Sequence, residues 1–202
     1  MPADLITLTA CLNDLCRQQL HAVLATADQA SPYASLVAFA ASPDLRQLVF
    51  ATGRAARKSR NLAASGTAAL LIDNRANTLA DVNEATAVTV LGRAAEVAGE
   101  ERDRLVSLLL GRHPGLADFV HAPDTALVAI TVERYLLVDH FQRVRVLTAA
   151  DLVCAVFSLG PGIARLCFSS DPLELQLRVT GERSSLPCGG GAGTDPFVEA
   201  QR

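Results

Sequence analysis

Residues 48 to 63 read LVFATGRAARKSRNLA, and five side chains there carry chemistry: the Thr52 hydroxyl and the cations Arg54, Arg57, Lys58 and Arg60. The pattern predicts a strand over Leu48 to Thr52, a glycine turn at Gly53 and a helix over about residues 55–64. Helix N-termini expose free N–H groups and a partial positive charge, so acidic residues normally gather there and basic ones at the far end. Here the cations crowd the first turns, and no Asp or Glu occurs between Leu45 and Ile72. A phosphate monoester would answer such an arrangement, because it carries nearly two negative charges and accepts several hydrogen bonds at once. Thr52, Arg57 and Lys58 are the candidate ligands, with Gly53 permitting close backbone approach. Lys58 is the chain's single lysine beside seventeen arginines. The same cations would also make an ordinary solvated helix face, and the pattern alone leaves both readings open. Neither a Walker-type phosphate loop nor a dinucleotide fingerprint is present.

The elements that would position these residues are mostly strands. An amphipathic helix over residues 4–19, with Leu5, Leu8, Cys11, Leu12 and Leu15 at helical spacing, opens the chain. Strands are expected at 21–27, 33–40 and 48–52, joined by the short turns DQASP and SPDLRQ, which makes an antiparallel meander. Further strands are expected at 67–73 and 86–97, the second bent at Gly92. GEERDRLVSLLLG reads as an acid-started helix ending at Gly111. Strands to about Val132, from Tyr135 to Asp139, and at RVRVL follow. Such a set predicts a mainly β fold with flanking helices, an antiparallel small barrel. The expected organisation is a barrel domain over 1–150, additional short strands over 151–180, and a Gly-rich disordered tail over 181–202.

Composition narrows the function classes. Half of the 202 residues are hydrophobic and the net charge is −3, so the positive charge is local and general nucleic-acid binding is not expected. Five cysteines with no C-x-x-C spacing and four scattered histidines argue against a structural metal site or a disulfide framework. Idle thiols in a reducing cytosol are expected instead, with no secretion signal, no membrane span and a cytoplasmic location. No nucleophile–base arrangement with recognised context is visible, so catalytic side chains stay unassigned.

The run PYASLVAFAASPDLRQLVFATGRAARKSRNLAASGTAALLID, followed by TAVTVLGRAAEV, resembles the FMN-binding split barrels of the pyridoxamine 5′-phosphate oxidase-like family. The likeness covers roughly residues 15–147 and is strongest at strand–T–x5–R/K–x–x–N–L. It implies FMN as cofactor, with Thr52, Arg57 and Lys58 at its phosphate. Ser35, Leu36 and Val37 would line the ribityl chain and ring, and Ala51 stands where relatives often have a larger residue. It also implies a homodimer with the flavin between subunits, acting as a flavin-dependent oxidoreductase on a small molecule. The alternative it leaves open is a non-catalytic flavin or haem binder. Departures from true pyridoxamine phosphate oxidases are Ser35 and Ala40 where they carry basic residues, Ala87 where they carry glutamine, and the absence of tryptophan. RNL and ERYLLVDHFQRVRVL are closer to the haem-utilisation branch, although VDHF replaces that branch's glycine-containing aromatic segment. This brings in His140 as a possible haem or substrate ligand, with Asp139 and Arg143 beside it.

Overall fold

The computed structural model describes residues 3–28, 31–140, 143–152, 164–165 and 178–179. In chain order the elements are α1 (Ala3–Gln18), β1 (His21–Asp28), β2 (Ser31–Ala41), β3 (Gln47–Gly53), α2 (Arg57–Ser65) and β4 (Thr67–Asp73). A single helical turn, α3 (Asp81–Glu84), precedes β5 (Ala87–Glu96) and α4 (Gly99–Arg112). A 3-10 turn at Pro114–Leu116 leads into α5 (Ala117–His121), β6 (Thr125–Asp139) and β7 (Arg143–Thr148). The residues at Ala164–Arg165 and Arg178–Val179 pair as two short antiparallel strands, β8 and β9. The remaining expectations for 153–202, including the Gly-rich tail, lie outside the described residues.

Strand order β3-β2-β1-β4-β5-β6-β7, with an added β3–β6 pairing, closes six strands into an antiparallel barrel, as the sequence pattern predicts. Alternation along each strand sends one set of side chains inside, including Leu24, Phe39, Phe50, Leu70, Ile72, Val90 and Ile130, each inaccessible to solvent. β3 is buried on its outer face too, because α4 lays Leu105 and Leu109 over Val49, Leu127 and Ala129. That double burial explains why LVFA is continuously apolar rather than alternating.

Two helices stop the barrel's ends. α1 packs Leu12, Leu15 and Cys16 against the same interior cluster, near which the Tyr135 hydroxyl donates to the Leu45 carbonyl at 2.6 Å. α2 contributes Leu62 to the interior and ends at Gly66, whose φ of 64° closes the helix with a bond to the Leu62 carbonyl. Its start is Arg57 rather than Ala55, so Arg54 falls in the preceding turn.

Three further sequence expectations are revised. β6 is one strand of 15 residues, not two. The apparent break at Glu133 is a bulge, since Leu91 pairs with Arg134 and Gly92 with Val132, leaving Glu133 without a counterpart on β5. α4 runs through Gly111 to Arg112 instead of ending there. Cys11 is disulfide-bonded while Cys16 is free and buried, because sequence spacing does not report which sulfurs meet in space.

The bulge has a steric basis. A Cβ on Gly92 would stand 2.3 Å from the Thr131 carbonyl oxygen and 2.9 Å from an Ile130 methyl. Gly92→Ala should therefore destabilise the barrel by on the order of 1–3 kcal/mol. The urea midpoint would fall at constant slope; an unchanged midpoint would show that the close approach is not structural.

Candidate functional site

The groove begins where one hydrogen-bond ladder stops. β3 pairs with β6 along its whole length, from Gln47↔Thr131 to Gly53↔Thr125, but with β2 only from Phe39↔Phe50 to Ala41↔Leu48. Past Phe50 the two strands separate, and the residues that would have formed the next rungs line a groove of about 220 Å³: Leu36, Val37 and Ala38 on one side, Ala51, Thr52 and Gly53 on the other. Peptide groups that face the gap have no ladder partner there, so each is free to bond a ligand.

α2 stands at one end of this gap. Its N-cap residue, Ala56, offers no side-chain cap, and no acid lies in the first turn, so the leading N–H groups have no side-chain acceptor. Lys58, at the second helical position, lines the groove with Ala56. The Thr52 hydroxyl is buried and has no hydrogen-bond partner, and so is that of Ser35. Opposite, Leu116 and Phe119 form an apolar wall. They are held by α4, whose Arg102 donates to the Val120 carbonyl at 2.8 Å.

Five sequence-predicted residues thus meet in the groove: Leu36, Val37, Ala51, Thr52 and Lys58. Arg57 and Ser35 are not among its lining. The Arg57 guanidinium lies over the Tyr33 ring at 4.9 Å and donates to the Ser31 hydroxyl at 3.3 Å. Ser35 shares the strand face of Val37 and Phe39, toward the barrel interior. The other two cations are engaged, Arg54 with Glu96 at 2.6 Å and Arg60 with the Ala55 carbonyl at 2.7 Å. Of the four cations, Lys58 is the one that borders the groove.

Sequence reasoning missed two features. Leu116 and Phe119 were not singled out, although their spacing of three after a helix-starting Pro114 was the available signal. Asn61, within RNL, is the other. Buried at 3% exposure, its amide donates to the Thr26 hydroxyl at 3.0 Å, joining α2 to β1. That bond fixes where the helix N-terminus points.

Asp139, His140 and Arg143 are placed elsewhere, at the opposite end of β6 from the Thr125 rung beside the groove. Asp139 is 7% exposed and accepts from Arg143 at 2.8 and 3.2 Å and from Arg145. His140 has a φ of 42° and a mostly exposed ring, with Nδ1 3.3 Å from Arg143. Burial pushes the Asp139 carboxyl up, but the Arg143 hydrogen bond and the charges of Arg145, Arg143 and His140 together hold it below the usual range. Among the described residues no group of three or more His, Cys, Asp or Glu converges to hold a metal. No helix there is long and apolar enough to cross a membrane.

The profile of the pyridoxamine 5′-phosphate oxidase family matches residues 8–139, from α1 to the end of β6. The chain belongs to that family. No curated protein sequence matches this family member. Among solved structures, a heme binding protein from Mycobacterium smegmatis aligns at a TM-score of 0.63 and 20% identity, over 71% of this chain and 59% of that one. HutZ, the heme storage protein from Vibrio cholerae, aligns at 0.54 and 17% identity, over 60% and 87% of the two chains. The General Stress Protein 26 from Bacillus anthracis aligns at 0.53 and 16% identity, over 70% and 98%. At such identities the likeness is one of fold.

Two outcomes are expected from this geometry. Because the Thr52 hydroxyl has no partner, Thr52→Val should leave the ligand-free protein as stable or slightly more so. A clear drop in its urea midpoint would mean the hydroxyl is already bonded. The depressed Asp139 pKa contributes stability that is complete above the ordinary carboxylate value of about 3.9 and is lost as pH falls through the lower folded value. Amide exchange in β7 should accelerate below about pH 4 relative to the barrel strands, and Asp139→Asn should remove that pH dependence.

Proposed function

We propose that this chain binds FMN in the groove between β2 and β3 and acts as a flavin-dependent oxidoreductase on a small molecule. The observation that carries the reading is the split ladder, with the uncapped, lysine-bearing start of α2 at its end. The flavin phosphate would take the leading N–H groups of α2 and the Lys58 ammonium, with the Thr52 hydroxyl, which lacks a partner, close by. Arg57, exposed and held by one 3.3 Å bond and a ring face, adds positive charge and can swing to the phosphate. The ribityl chain and ring would lie along Leu36 to Ala38 and Ala51 to Gly53, where strand peptide groups lack ladder partners. The small side chain of Ala51 leaves room, while Leu116 and Phe119 keep water from one side. FMN, when bound, supplies one- and two-electron redox chemistry; the protein supplies binding, orientation and shielding.

A homodimer completes this reading. The groove of about 220 Å³ is smaller than the ~300–1,000 Å³ usual for pockets that enclose such ligands. Leu36 and Phe119 on its rim are 66% and 43% exposed, an apolar border suited to a second copy. Oxidation of a phosphorylated B6 vitamer fits less well. Lys58 is the one charged side chain lining the groove, Ser35 and Ala40 add none, and a second phosphate would go unmatched.

Haem binding is the alternative, supported by the names of two structural neighbours and by the exposed His140 ring. A titration of the purified full chain separates the two. FMN should bind with quenching of its fluorescence, and Lys58→Ala combined with Arg57→Ala should weaken binding at least tenfold, since a charge-assisted hydrogen bond contributes about 1.5–3 kcal/mol. Bleaching of the bound flavin by NAD(P)H supports the enzyme over a flavin store. Uptake of haem but not FMN, or FMN affinity indifferent to both substitutions, overturns the proposal.

A further inference from the structure

A second cavity, of about 380 Å³, lies between α1, the β2–β3 turn and the last turns of α4. It is larger than the β2–β3 groove and shares no lining residue with it. Two guanidinium groups, Arg17 and Arg112, border it, and none of its lining residues is acidic; the Ser42 and Ser107 hydroxyls on its rim already donate, to the Asp44 carboxylate at 2.5 Å and the Asp103 carbonyl at 3.0 Å.

Arg112 is the unusual member. One of its terminal nitrogens donates to the Gln19 carbonyl, its guanidinium lies 5.6 Å from the Phe39 ring centroid, and its Nε is buried without a partner. The ionisable neighbours acting on it are the Cys16 thiol and Arg17. Burial pushes that thiol up to about 12, so it is neutral and supplies no counter-charge near pH 7. A partly buried cation next to a like charge is unfavourable unless an anion joins them.

Gly111 supplies the floor. It is the exposed penultimate residue of α4, and a Cβ there would meet nothing within 4 Å. The bare helix surface therefore keeps the cavity open, and Leu45 and Leu108 give it an apolar side.

We propose that this cavity is a second ligand site, separate from the flavin groove, for a small organic anion: a phosphate or carboxylate on a compact apolar body. Arg112 and Arg17 would hold the anionic head, while Leu45 and Leu108 take the body.

Phenyl phosphate is a suitable probe, followed by backbone amide NMR shifts on the full chain. Titration should move the amides of Ser42, Gly111 and Arg112. Inorganic phosphate and benzyl alcohol, each lacking one half of the chemistry, should bind at least about tenfold more weakly, the scale of one charge-assisted hydrogen bond. Arg112→Gln should weaken phenyl phosphate by a similar factor. Gly111→Leu, which fills the space and favours the helix, should abolish binding with melting temperature kept or raised, so loss of binding cannot be ascribed to unfolding. Lys58→Ala should leave these shifts intact. Binding that survives both Gly111→Leu and Arg112→Gln, that is lost with Lys58→Ala, or that inorganic phosphate matches, overturns the proposal.

Discussion

The unequal pairing of β3 is the constraint on which the rest of the structure depends. Seven residues of this strand are paired with β6, and only three with β2. Strands in a closed barrel normally satisfy both neighbours, since unpaired peptide groups away from water are costly. Here the chain leaves one ladder incomplete where α2 begins, and the opening is bordered on its far side by α5. The split, the uncapped helix and the apolar wall are therefore consequences of a single divergence after Phe50.

β6 makes that divergence tolerable. One of its edges is covered by β5 from Val128 to Val138; the other is shared, first by β3 and then by β7. The handover falls near Glu133, the residue skipped opposite Gly92, and the extra twist of a bulge suits a strand that must change partners. Around this frame two polar contacts tie down the groove's neighbours. Asn61 joins α2 to β1 inside the protein, and Arg102 keeps α5 against α4. Each holds in place an element that borders the groove without itself lining it.

Much of this was legible in the sequence because it rests on local signals. Alternating apolar runs located the strands, and the lone Gly92 in a strand pattern marked the bulge. The LVFATGRAARK segment named Thr52 and Lys58, since a strand–glycine–helix junction without acids is visible in one dimension. What stayed hidden depends on distances between elements. Arg54 counts among the crowded cations in sequence, and its pairing with Glu96, far along the chain, shows only in the fold. Arg57 appeared to face the groove, but Tyr33 offers its ring to the guanidinium. Phe119 lies more than sixty residues from Thr52, and no period connects them. Cys11 shows the same limit, for its disulfide leaves no trace in spacing. Gly111 was misread as a helix terminator because glycine usually ends helices, and the open space beside it is a tertiary fact.

The rarity of lysine has a practical corollary. Among eighteen basic Lys and Arg side chains, one alone carries a primary amine, and it borders the groove. Guanidinium groups are inert to acylating reagents at neutral pH because they stay protonated. An amine-selective dye or cross-linker would thus meet, apart from the chain terminus, a single anchoring point at the cleft. Native protein can in this way be tagged beside the β2–β3 groove without altering a residue.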